Sequence, residues 1–246
     1  MNIKSSAGRA SLQRGRWMLH GPGKIGKSTC ASGWPNNLFL ATERRLDHIE
    51  GVQYTFIDSW LAFKEVVKEL GASTYKKKYE VVTVDVIDHI WHYCIEHVCK
   101  RLGIEHQSDE GYGKAWDAVD KEFKSPFFKL LSYPYGLIFI SHTQNEEIQS
   151  LRGTQTKFTL GLPKRARRIV VPYMGVIGYI DHDDFKIKKD GKTKILHGRS
   201  IRFEGDDNVE AADGEGYLPD RVRLYKDASK TYELIKSYYD ESGSEG

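Results

Sequence analysis

Cysteine is scarce, with three in 246 residues at Cys30, Cys94 and Cys99. An odd, sparse set in a chain of this length argues against a disulfide framework and for a reducing compartment. Long apolar runs are missing too. The longest, such as Gly136–Ile140, are far too short to cross a bilayer, so no membrane role is predicted. Residues 1–16 are polar and basic and hold no apolar stretch, which predicts a cytoplasmic chain without a secretory leader. No sign of charge dominates: the net charge is +3, and the surface as a whole is no magnet for nucleic acid. Internal repeats and low-complexity segments are absent from the sequence.

What is present reads as an ordinary soluble globular chain, with 39% hydrophobic and 29% charged residues. The length suits one α/β core, expected over residues 1–240, with 1–11 flexible and 241–246 a Glu/Ser/Gly-rich disordered tail. His92, Cys94, His97 and Cys99 cluster in sequence, but at no standard zinc spacing. A helix there would spread them around its circumference, so they read as helix residues.

Strand-like and helix-like segments alternate. Strands are expected at Arg16–His20, 37–42, 52–57, 81–86, 136–142 and 176–180, with a hairpin over 185–196 around Asp190-Gly191. Helices are expected from Lys27, after an N-cap at Ser59, over Ile87–Leu102, and over 115–131 with Pro126 as a kink. Gly71 reads as a helix-ending glycine. This alternation predicts a mostly parallel, twisted sheet with helices on both faces and a C-terminal β-hairpin region. Ligands then bind beyond the carboxyl ends of the strands.

One motif carries specific chemistry. Gly21-Pro22-Gly23-Lys24-Ile25-Gly26-Lys27-Ser28, followed by Thr29, matches G-x4-G-K-[ST] between a strand and a helix. The glycines let backbone N–H groups wrap a phosphate, Lys27 reaches the β- and γ-phosphates, and Ser28 ligates Mg²⁺. ATP and Mg²⁺ are the ligands this implies. Lys24 is an extra charge in the loop, read as facing solvent or a neighbouring copy.

Asp85 closes the apolar strand 81–86, where a rigid carboxylate stands beside the metal; Asp88 reads as the cap of the next helix. Hydrolysis also needs a group to orient water. Val86 follows Asp85, so that group must come from elsewhere, and Glu43 at the end of strand 37–42 is the candidate. Ser141 and His142 end the strand 136–142, where a polar group senses the γ-phosphate. Between residues 151 and 168 lie six basic residues and no acidic ones: Arg152, Lys157, Lys164, Arg165, Arg167 and Arg168. Taking these six from the total of +3 leaves the remainder at −3.

Together these residues resemble a RecA-like core. More closely, GPGKIGKST, TERRLDHI, VTVDVIDHIW, VCKRLGI, GYGKAW and GLIFISHT look like the short phage-borne AAA-type ATPases of that recombinase group, linked to single-strand annealing and recombination. The resemblance implies Glu43 and His142 as catalytic with Lys27 and Asp85, and a DNA-contacting loop at 152–168. It also implies a homo-oligomeric ring or filament, with Arg199 and Arg202 as candidate fingers to a neighbour's nucleotide. His142 stands where a glutamine is usual, and Ala41-Thr42 where acids are common. The implied activity is a DNA-stimulated ATPase acting on single-stranded DNA, with a single-stranded-DNA-binding protein as a further partner. The rival is a P-loop switch or assembly module that acts through protein partners.

Overall fold

The computed structural model describes residues 11–105, 113–150, 153–189 and 192–241. Strand β1 (Arg16–His20) runs into the glycine loop, and α1 (Lys27–Ala31) follows. Next come β2 (Asn37–Ala41), β3 (Gln53–Phe56) and α2 (Trp60–Glu69), whose N-cap Ser59 accepts from the Ala62 amide at 3.3 Å. Gly71 does not take a left-handed φ, because the chain continues into a short α3 (Ser73–Lys78). The left-handed stop is instead Gly103 (φ 69°), after β4 (Val81–Asp85) and α4 (Ile87–Leu102). Helix α5 (Lys114–Leu131) passes through Pro126 unbroken, with Pro126 buried in its apolar face.

After β5 (Gly136–Ile140) the basic segment departs from expectation. It is no loop: β6 (Thr143–Ser150) and β7 (Gly153–Leu160) form an antiparallel hairpin, and α6 (Lys164–Val170) carries four of the basic residues. Strands β8 (Val176–Lys189) and β9 (Lys192–Arg202) make the expected hairpin, longer than the sequence suggested. Its Asp190-Gly191 turn lies outside the described residues. The chain then adds β10 (Ala212–Asp213), β11 (Arg221–Leu224) and α7 (Ala228–Glu241). Glu241 therefore belongs to a helix and not to the tail. The signal for α7 was there, with Thr231, Tyr232, Ile235 and Tyr239 on one buried face.

The main sheet has the order β11-β9-β8-β1-β5-β4-β2-β3, with β10 beside β8. Strands β8, β1, β5, β4, β2 and β3 pair in parallel, while β9, β10 and β11 add antiparallel pairs. Alternate side chains of the parallel strands feed two cores. Met18, Leu40, Val84 and Phe139 pack with α2, α4 and α5; Trp17, Leu19, Phe39 and Ile140 pack with α1 and α7. Trp17 is wholly buried, edge-on to Trp34 and Phe203. Large side chains buried in this way each contribute roughly 1.5–3 kcal/mol. Among the described residues no helix is long and apolar enough to cross a membrane.

Candidate phosphate-binding and hydrolytic site

The register of the sheet builds the site. Leu19, Ile140, Asp85 and Ala41 stand in one row across β1, β5, β4 and β2. The segments leaving those strands are the glycine loop, Ser141-His142, the turn after Asp85, and Thr42-Glu43. They therefore open at one level, beyond the carboxyl ends of parallel strands. The cleft between them holds about 250 Å³ and is lined by Lys27, Ser28, Glu43, Asp85, His142 and Arg199, among others.

The loop needs its glycines. Gly21 (φ 157°) would drive a Cβ to 2.3 Å from the Ile180 carbonyl oxygen, and Gly26 (φ 105°) would drive one to 2.4 Å from Arg199. Lys24 is exposed and itself left-handed at φ 63°. Helix α1 has five residues only, so backbone amides and side-chain cations, more than a helix dipole, make the loop anion-seeking.

Lys27 is buried, and its ammonium donates to the Gly21 and Pro22 carbonyls at 2.8 and 2.9 Å. Burial lowers its pKa, against the pull of Asp85, Asp88 and Glu43. The Ser28 hydroxyl donates to Asp85 Oδ2 at 2.6 Å. Burial raises the Asp85 pKa, and the Ser28 hydrogen bond opposes it. This donor set fits a hard divalent cation: a serine hydroxyl and a carboxylate already touch, in a cleft with a further carboxylate at Glu43. A polyphosphate entering beside those acids needs a cation between them.

Glu43 is half-buried, with its carboxylate 3.9 Å from His142 Nε2 and 3.8 Å from Arg45 Nε. Thr42 accepts from the Val86 amide at 3.0 Å and lies 2.9 Å from His89 Nδ1. The Asp85–Val86 peptide is cis.

Asp88 is not a helix cap: α4 starts at Ile87, and its N-cap is Val86, with no side-chain cap hydrogen bond. The carboxylate lies in the first turn facing the end of β5, and its buried oxygens accept from Ser141 Oγ at 2.8 Å and the His142 amide at 2.7 Å. His142 Nδ1 lies 3.2 Å away. The Asp88 hydrogen bond raises the His142 pKa, against partial burial. Asp88 is thus a site residue misread from the sequence. The available signal was a second acid three positions after Asp85.

His20 was also missed. It is wholly buried, with Nε2 2.6 Å from the Glu210 carbonyl and Nδ1 3.0 Å from Thr143 Oγ1. It ties the strand before the glycine loop to the root of β6.

The finger candidates separate. Arg199 lies over the glycine loop of its own chain and donates to the Ile25 carbonyl at 2.7 Å. That is a contact within its own chain. The reason is topological: β9 pairs with β8, which pairs with β1. Arg202 is tied to Asp206 at 2.7 Å and is absent from the cleft lining.

The basic cluster is partly spoken for. Arg165 pairs with Asp117 and Asp120, Arg167 with Glu146 and Glu210, and Lys164 with Glu146. Lys157 and Arg168 make no ion pair among the described residues, and Arg152 lies outside them. Phe158 stacks on Tyr179 at 6.0 Å. On α4, Cys94 and Cys99 are buried, His97 is half-buried and His92 is exposed, as a helix disperses them.

Fold and cleft together define a P-loop nucleoside triphosphatase core. The profile of a family described as the AAA domain matches residues 14–213, and the chain belongs to that family. It carries a P-loop ATPase domain of the AAA type. Over 133 residues it is 30% identical to the SPbeta prophage-derived uncharacterized protein YorG of Bacillus subtilis (strain 168). That match covers 52% of this chain and 41% of that protein, so the chain spans less than half the relative's length.

Proposed function

We propose that this chain is a Mg²⁺-dependent, RecA-like ATPase that acts on single-stranded DNA in recombination or strand annealing, working as a homo-oligomeric ring or filament. The observation that carries the hydrolytic part is the convergence of Lys27, the Ser28–Asp85 pair, Glu43 and His142 on one cleft. Lys27 exchanges the Gly21 and Pro22 carbonyls for phosphate oxygens. Ser28 and Asp85 hold the metal, which neutralises phosphate charge when bound. Glu43 orients the attacking water and takes up its proton. His142, steered by Asp88, reports the occupied site to the hairpin that begins one residue later at Thr143.

The DNA part rests on Lys157 on the hairpin and Arg168 on the helix that follow His142, together with the sequence position of Arg152. Lys164, Arg165 and Arg167 join them only by leaving carboxylates. That same pairing favours the second reading, a nucleotide switch acting through protein partners. A single-stranded-DNA-binding protein and a bacterial host cytoplasm fit the first reading.

One titration separates the two. Single-stranded DNA binding is measured against salt, with and without an ATP analogue, for the wild type and Lys27→Ala. The first reading expects log affinity to fall linearly with log salt, analogue-dependent tightening lost in Lys27→Ala, and DNA-stimulated hydrolysis. Salt-insensitive or undetectable binding, with an unchanged hydrolysis rate, rejects it in favour of the switch.

A further inference from the structure

Arg199 is half-buried, yet makes no ion pair among the described residues. Its Nη1 donates to the Ile25 carbonyl in the glycine loop, and it lines the same cleft as Lys27 and Ser28. The guanidinium sits directly against Gly26, where a Cβ would lie 2.4 Å from its nitrogen. Its backbone is clamped in register between His182 on β8 and Leu224 on β11. The side chain is thus aimed at its own loop from a strand held on both sides.

We infer that Arg199 serves the triphosphate site of its own chain, holding the loop through the Ile25 carbonyl and adding a same-chain cation for the polyphosphate. The inference rests on the nucleotide-binding reading above and deepens it. A guanidinium offers five N–H donors in a planar fork, and the Ile25 carbonyl takes one of them. The remaining donors suit phosphate oxygens, which a guanidinium engages in pairs. An unpaired, half-buried cation beside anion-seeking loop amides has its natural counter-ion in a phosphate. Serving a neighbouring copy would require Arg199 to leave both Ile25 and the cleft of its own chain.

The test uses the full chain, with Arg199→Ala and Arg199→Lys checked for folding by thermal melting. A fluorescent ATP analogue is titrated against each protein with Mg²⁺, and kcat and KM for ATP are measured separately. Arg199→Ala is expected to bind the analogue on the order of tenfold more weakly, with Arg199→Lys intermediate because charge without the fork recovers only part. Equal parts of Arg199→Ala and Lys27→Ala are then mixed. An arginine acting across an interface would be supplied by the Lys27→Ala copies to the intact loops of the Arg199→Ala copies. The expected rate is no more than the sum of the two variants alone. A rate above that sum overturns the inference, as does an Arg199→Ala protein that binds and turns over ATP like the wild type. If Arg199→Ala fails to fold, wild-type affinity in Arg199→Gln overturns it equally. A wild type that does not bind the analogue sinks the nucleotide reading itself, and so is told apart from a failure of Arg199 alone.

Discussion

Acidification should weaken this fold through one side chain, His20. It is wholly buried between β6 and the segment at Glu210, directly before the glycine loop. A carbonyl only accepts, so Nε2, 2.6 Å from the Glu210 oxygen, must carry the proton. Nδ1 then accepts from the Thr143 hydroxyl, and the ring is neutral. Burial pushes its pKa down from 6.5 to about 4, with the Glu210 carbonyl opposing. The unfolded chain protonates His20 near the ordinary value, while the folded chain resists until about 4. Between those values the unfolded state binds more protons, so stability is complete above the upper value and falls as pH drops toward the lower. At 1.36 kcal/mol per pH unit, the loss is about 2 kcal/mol by pH 5 and about 3 kcal/mol by pH 4. A domain with roughly 5–15 kcal/mol in total would register that clearly. Urea unfolding of the wild type and His20→Gln at about pH 7.5 and about pH 5 isolates the effect, because other titrating groups act on both proteins alike. Glutamine can donate to the carbonyl and accept from the hydroxyl but does not titrate. The stability of the wild type relative to the variant should drop by about 2 kcal/mol between the two conditions. A constant difference would refute the assignment of His20 as a buried neutral ring.

Glu43→Gln should bind the ATP analogue like the wild type and hydrolyse ATP on the order of 100-fold more slowly; loss of binding together with hydrolysis would show that Glu43 shapes the loop instead of handling water. Asp88→Asn should lower the His142 pKa toward the ordinary imidazole value, read by NMR titration, and cost on the order of 1–3 kcal/mol of stability in denaturant. The raised His142 pKa makes its contact with Asp88 strongest below the ordinary histidine value and weaker as pH rises through the shifted one. An unchanged His142 titration in the variant would reject Asp88 as its partner.

The glycine loop was legible from sequence because its chemistry is local: consecutive residues supply the turn, the amides, Lys27 and Ser28. The parallel strands were legible for a similar reason, since β-branched runs such as 81–84 suit burial on both faces. Glu43 could be nominated because a strand's end is a local property, but only the register beside β4 brings it to the cleft of Asp85. Helix α7 carried a readable apolar face, yet its purpose, closing the core beneath Trp17 and Trp34, depends on partners about two hundred positions away. The basic run between 151 and 168 is the sharpest contrast. Its sequence shows six cations and no acid, whereas Arg165 meets acids from α5 and Arg167 meets Glu210. Charge composition is local and charge pairing is not. The same holds for Arg199, whose number in the chain said nothing of which loop it would touch. The sequence by itself determined the glycine loop and nominated Lys27 and Ser28 as its phosphate and metal contacts. The tertiary structure decided which distant groups surround that loop, because strand order and register, set by burial on both faces of the sheet, bring residues together that the chain keeps far apart.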